Sequence, residues 1–177
     1  MNVSDLKGKT IGIIDDTATS VMLLKVLLEK RYRVKALFKR MNSGVNNYEE
    51  FDAVLLIGDE ALRSRKSGLA GFEIVYDLAT EWYEWKNLPF VFAVWAVQKS
   101  MPAEQKDELR DIIQQSLASA EANFAAVGQS QAKRINLTTG ESVEYLEGFN
   151  FRVGERERAA IELFQGLLQE IESVEHA

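Results

Sequence analysis

Apolar runs alternate with helical patterns over the first half of the chain. Residues 10–14 form a β-branched run typical of a strand, and residues 21–30 carry apolar side chains at helical spacing. Three further strands are predicted at 33–38, 51–57 and 72–76. Because strands that alternate with helices pack into layered sheets, this pattern indicates an α/β fold with a parallel or mixed sheet.

A Trp-rich acidic segment and an uncharged apolar run come next, at residues 77–97. Pro89 suits the entry to an extended segment, because its ring fixes φ and it has no N–H to donate. The run 90–97 carries no charge, so we expect a strand that is buried on both faces. The three tryptophans, Trp82, Trp85 and Trp95, are expected to form core, with the floor of a ligand cleft as the alternative for one of them.

Beyond residue 97 the pattern becomes helical. Predicted helices cover 103–127, ending at Gly128, a short segment capped by Thr138, and the residues after Gly154. We therefore expect an α/β lobe over residues 1–97 and a mainly helical part over 98–177.

Composition narrows the classes of function. The chain has 177 residues, 46% hydrophobic and 27% charged, which is ordinary for a globular protein. A net charge of −6 argues against nucleic acid or an anionic membrane as the main partner. Without cysteine, and with His176 as the single histidine, neither a Cys- or His-based metal site nor a Ser–His pair can form. No apolar run is long enough to cross a bilayer and the first residues lack a secretory pattern, so a cytoplasmic protein is expected.

Two polar turns follow predicted strands. Thr17, Thr19 and Ser20 stand where a helix begins, and hydroxyls and free N–H groups there bind carboxylate or phosphate. Helix capping is the commoner role of such residues. Gly58 and Asp59 follow the third strand, where α/β proteins bind ligands. Asp59 would orient a substrate hydroxyl or act as a base, and an N-cap is the alternative.

Five segments of the chain, 6–13, 18–24, 55–62, 76–82 and 88–96, resemble one family. The most specific are Gly-Asp-x-Ala-Leu at 58–62 and Leu-Pro-Phe-Val-Phe-Ala-x-Trp-Ala at 88–96. They resemble the chorismate dehydratases of menaquinone biosynthesis by the futalosine route. The resemblance implies a type II periplasmic-binding-protein fold, with two α/β lobes around a ligand cleft.

The resemblance also implies a reaction and a site. Members of the family remove water from chorismate to give 3-[(1-carboxyvinyl)oxy]benzoate, with no metal or other cofactor. Thr19 and Ser20 match a cleft-lining position that binds a substrate carboxylate in such proteins. Gly58 and Asp59 match a second cleft-lining turn, and Trp82 is a weaker candidate. The expected partner is a small, chorismate-like carboxylate.

Segments that the family carries in its first lobe have no match in this chain. We therefore expect one α/β lobe followed by helices of an incomplete second lobe, and no dehydratase activity from this chain in isolation. The apolar faces of helices 103–127 and 155–172 would then be uncovered, which predicts self-association. The alternative function is a non-catalytic binding module for a small aromatic carboxylate.

Overall fold

A computed structural model describes residues 2–14, 18–41 and 48–175. Thr17 and His176 lie outside the described residues. Three strands are present, β1 (Thr10–Ile14), β2 (Leu37–Met41) and β3 (Ala53–Leu55). The helices are α1 (Ala18–Val26, continued by a π-helical turn Leu27–Arg31), α2 (Gly58–Ser67), α3 (Leu78–Lys86), α4 (Ala103–Glu121), α5 (Phe124–Ile135), α6 (Thr139–Glu147) and α7 (Glu155–Glu175).

The strands form one parallel sheet in the order β2-β1-β3. Thr10 pairs with Leu37, and Ile11 pairs with Ala53. A parallel sheet needs a crossover between neighbouring strands, and α1 supplies the one between β1 and β2. The expected α/β class is confirmed, and the sheet with its helices is consistent with a binding-protein-like lobe.

The chain divides into two compact units. The first combines Met1–Ala93 with Gly154–Ala177, and the second is Val94–Val153. The separate lobes expected at 1–97 and 98–177 stay a prediction. Within the part of the chain that the structure describes, no helix combines the length and apolar character needed to cross a membrane.

The core of the first unit is built around the C-terminal helix. Leu167 and Ile171 of α7 pack with Trp82 of α3 and with the apolar side of α1. Members of this buried cluster are Leu23, Val26, Leu27, Trp82, Leu167 and Ile171. The expectation that the apolar face of residues 155–172 is uncovered is therefore wrong, because α1 and α3 cover it.

Two predicted strands do not form. Residues 72–76 make one isolated bridge, Leu69 to Phe72, and residues 90–97 are outside any strand. Trp95 is 86% exposed instead of buried. Among the described residues no neighbouring strand pairs with either segment, and strand preference depends on such pairing and burial more than on residue type.

The second unit is helical, as predicted, but its first helix ends early. Helix α4 ends at Glu121, and a new helix begins after Asn123. The Asn123 side chain accepts a hydrogen bond from the N–H of Ala126 and caps α5. Gly128, the predicted terminator, is buried inside α5 because α6 approaches it closely. A Cβ there would lie 3.2 Å from Ser142 Cβ. The predicted cap at Thr138 is confirmed, as part of a capping box with Glu141.

Candidate functional site

The candidate site lies at the carboxyl edge of the parallel sheet. Strands β1 and β3 are neighbours, and Ile13 pairs with Leu55. Helix α1 begins four residues after Ile14, and α2 begins three residues after Leu55. Because neighbouring strands are about 5 Å apart, both helices begin at the same edge. Their N-terminal N–H groups and dipoles favour negative charge there.

Thr19 and Ser20 lie in the first turn of α1. The helix starts at Ala18, so neither residue is its N-cap, and their expected capping role is wrong. Ser20 is buried, 7% exposed, and engaged in an interaction within the protein, whereas Thr19 is half-buried. The first turn of α1 contains no acidic residue, so nothing in that turn neutralises its positive end. The predicted contact of Thr17 with a ligand falls on a residue outside the described ranges.

Gly58 and Asp59 open α2. Gly58 has a φ of +56°, in the left-handed region that glycine adopts without strain. A Cβ at Gly58 would meet no atom within 4 Å, so backbone conformation rather than space calls for glycine. The N-cap is Ile57, which excludes Asp59 as the cap. Asp59 is instead in the first turn, where its charge complements the helix dipole, and it is engaged in a polar interaction.

An open pocket of about 770 Å³ lies beside this edge. It is lined by residues from the end of β1, from the turn before β3, and from α2 with the loop after it. The lining residues are Ile14, Tyr48, Glu49, Ile57, Gly58, Asp59, Glu60, Arg63, Ser64, Ser67, Gly68, Leu69 and Ala70. Of the predicted site residues that the structure describes, Gly58 and Asp59 line the pocket, and Thr19, Ser20 and Trp82 do not.

Tyr48 and Glu60, which both line the pocket, form a polar contact with each other. The Tyr48 hydroxyl donates a hydrogen bond to Glu60 Oε1. Desolvation of the phenol and this hydrogen bond raise the pKa of Tyr48 to about 12. The hydroxyl therefore stays protonated and Glu60 keeps a fixed donor over the physiological pH range. Sequence patterns missed this pair because Tyr48 begins a single 3-10 turn, Tyr48–Glu50, that has no sequence motif of its own.

Trp82 belongs to the core and not to the pocket. It is 0% exposed and makes edge-to-face contacts with Trp85, Phe90 and Phe164, at centroid distances of 6.1, 5.4 and 5.8 Å. Its Nε1 has no hydrogen-bond partner among the residues that the structure describes. The geometry therefore gives Trp82 a packing role, and its predicted contact with a ligand has no support in the structure.

Helix α3 is fixed to the end of α1 by a half-buried ion pair. Arg31 lies 3.1 Å from Glu81 Oε2 and also 3.1 Å from Glu84 Oε2. The Tyr32 hydroxyl donates to Glu81 as well. Desolvation and this hydrogen bond raise the pKa of Tyr32 to about 12. These contacts engage Glu81 in holding α3 against α1 and leave it outside the pocket.

The chain is an α/β protein with a parallel sheet, and an open pocket lies at the carboxyl edge of that sheet. Proteins of this class bind their ligands at that edge. A model of the family described as menaquinone biosynthesis matches residues 1–170. The chain belongs to that family. It is also similar to the chorismate dehydratase of Thermus thermophilus, with 29% identity over 169 residues. That alignment covers 87% of this chain and 60% of the relative, so the chain spans about 60% of the relative's length.

Proposed function

We propose that this protein acts in menaquinone biosynthesis as a chorismate dehydratase, which removes water from chorismate to give 3-[(1-carboxyvinyl)oxy]benzoate. The observation that carries the proposal is the similarity over 169 residues to a chorismate dehydratase, within a family matched over residues 1–170. The open pocket at the carboxyl edge of the sheet supports it, since a small ligand needs such a concave site.

In this proposal the edge of the sheet holds the substrate as an anion. Thr19 and Ser20 in the first turn of α1, together with Thr17 just before it in the sequence, are proposed to receive one carboxylate through hydroxyl and N–H donors. Gly58 and Asp59 are proposed to border the ring in the neighbouring pocket. Loss of water breaks one C–H and one C–O bond, so a base must take the proton while hydroxide leaves. Asp59 is the candidate base.

The assay follows product formation from chorismate by liquid chromatography and mass spectrometry. One arm contains this chain alone, from which no product is expected, and a second, in which product is expected, adds the portion of the Thermus protein that has no counterpart here. Asp59→Asn is compared with Asp111→Asn, a matched change on the exposed surface of α4. Product formation that Asp59→Asn reduces and Asp111→Asn leaves unchanged supports the proposal. No product in either arm would overturn it.

A second candidate function is binding of a small aromatic carboxylate without chemistry. The observation that favours it is that the pocket is lined by residues from Ile14 to Ala70, all within the first compact unit. Binding there needs no residue of the second unit. Calorimetric titration with 3-[(1-carboxyvinyl)oxy]benzoate that gives saturable heat, together with no product from chorismate, would favour this function over the dehydratase.

We also propose self-association and a cytoplasmic location. Residues 90–97 form no strand, and Val94 and Trp95 are 58% and 86% exposed. Apolar surface of this kind favours contact with a second copy of the chain. Light scattering after size exclusion should give a mass above the 20.0 kDa of one chain, and Trp95→Ser should lower that mass. A monomer at every concentration would contradict self-association.

The cytoplasmic location is tested by cell fractionation. Recovery of the protein in the membrane or secreted fraction would contradict it.

A further inference from the structure

One cation faces the pocket. Arg63 stands one turn into α2, and it is the cationic side chain among the lining residues that the structure describes. Three carboxylates, Glu49, Asp59 and Glu60, line the same pocket. Without Arg63 this lining would repel a dianion, so any anionic ligand in the pocket depends on where this cation is directed.

The pocket carboxylates nearest to Arg63 along α2 are occupied by other groups. Glu60 accepts the hydrogen bond of the Tyr48 hydroxyl, and Asp59 is engaged in a polar interaction. Arg63 itself has no ion pair and no side-chain hydrogen bond with any residue of the described ranges. Its backbone carbonyl accepts a hydrogen bond from the Ser67 hydroxyl, and its charge is close enough to Tyr48 to oppose the rise in the pKa of that phenol. Among the described residues that line the pocket, the guanidinium is therefore a charged donor group whose N–H donors are not used within the protein.

We propose that the Arg63 guanidinium binds a carboxylate of the substrate, and the corresponding carboxylate of the aromatic product, through paired N–H donors. A guanidinium matches a carboxylate in a planar, two-bond geometry that a lysine ammonium does not reproduce. The hydroxyl of Ser64, the next residue on the same pocket wall, is available as a further donor. This inference rests on the proposed function, because it names the residue that selects an anionic ligand for that same pocket.

The test measures affinity rather than turnover. The ligand is 3-[(1-carboxyvinyl)oxy]benzoate, which is already aromatic and gives a binding equilibrium without reaction. Calorimetry compares the unaltered chain with Arg63→Gln, Arg63→Lys and the control Arg65→Gln. Arg65 is exposed on the same helix and does not line the pocket, so its change removes the same charge without touching the ligand.

We expect Arg63→Gln to raise the dissociation constant about tenfold, as the loss of a charge-assisted contact does. The dissociation constant of Arg63→Lys should lie between those of the unaltered chain and Arg63→Gln. Arg65→Gln should change the dissociation constant less than about twofold, because an exposed distant charge is screened. The dimethyl ester should bind the unaltered chain and Arg63→Gln equally weakly. If Arg63→Gln and Arg65→Gln lose affinity for the ligand equally, or if neither loses affinity, the role of Arg63 is overturned.

The outcomes separate this inference from the proposed function. Ligand binding that depends on Arg63, without any product from chorismate, would sustain the carboxylate site and overturn the dehydratase. Product formation from chorismate, with ligand binding that does not depend on Arg63, would support the dehydratase and overturn the Arg63 site. No binding by the unaltered chain would overturn the Arg63 site, and the chorismate assay with its two arms decides the dehydratase separately. Circular dichroism of each variant shows whether the helix content of the chain is unchanged, which we expect because Arg63 and Arg65 are exposed.

Discussion

Replacement of Ile171 by alanine tests whether α7 completes the core of the α/β unit. Ile171 is 4% exposed and packs in the cluster with Leu23, Val26 and Trp82. The change removes three carbons, which is worth about 2.4 kcal/mol of lost burial at roughly 0.8 kcal/mol per methylene. The residual cavity adds a term of about 24 cal/mol per Å³, so the free energy of unfolding should fall by about 3 to 4 kcal/mol.

Ile112→Ala is the matched control, since Ile112 is 53% exposed on α4. The two changes share the same loss of atoms and the same gain in helix propensity. Urea unfolding, followed by tryptophan fluorescence and by far-ultraviolet circular dichroism, gives the free energies. Ile112→Ala should change stability by less than about 0.5 kcal/mol. A loss below about 1 kcal/mol for Ile171→Ala would refute the packing of α7 on α1 and α3.

Two further predictions concern β1 and the pocket. Gly12→Ala should lower stability by about 1 to 3 kcal/mol in the same urea assay, because its Cβ would lie 2.3 Å from Sδ of the buried Met41; an unchanged midpoint would contradict this contact. In alkaline spectrophotometric titration, Tyr32 and Tyr48 should ionise near pH 12, and Glu60→Gln should move one of these two steps to lower pH. Since the folded pKa of Tyr48 is raised from 10.0, its contribution to stability is complete below pH 10 and disappears as the pH rises through about 12. A titration curve that Glu60→Gln leaves unchanged would contradict this role of the Tyr48–Glu60 contact.

Features fixed by local sequence were predictable. The β-branched run at Thr10–Ile14 forms the central strand at the predicted positions. The capping box of Thr138 and Glu141 begins α6, because both partners lie within four residues of each other. Helix α7 follows from its apolar period after Gly154. Gly58 was also located at the end of its strand, since the Gly-Asp turn is a local signal.

Features set by contacts between distant segments were not predictable. Residues 90–97 have strand-like composition, yet they find no pairing partner within the described chain. Core was the expected role of Trp82, with a cleft as the alternative, but the partners that bury it lie on α7, more than eighty positions away. The Tyr48–Glu60 contact joins a loop to α2, and the donor role of Arg63 depends on that contact. Hydrophobic periodicity contains no information about such pairings.

The most direct test of a carboxylate site at the sheet edge is a map of backbone amide shifts while 3-[(1-carboxyvinyl)oxy]benzoate is added to the labelled chain. We expect saturable shifts that are largest at Thr19, Ser20, Gly58 and Asp59, where α1 and α2 begin at the edge of the sheet. Smaller shifts at these four residues than in Val94–Val153 would contradict a carboxylate site at this edge. The absence of any saturable shift would contradict it as well.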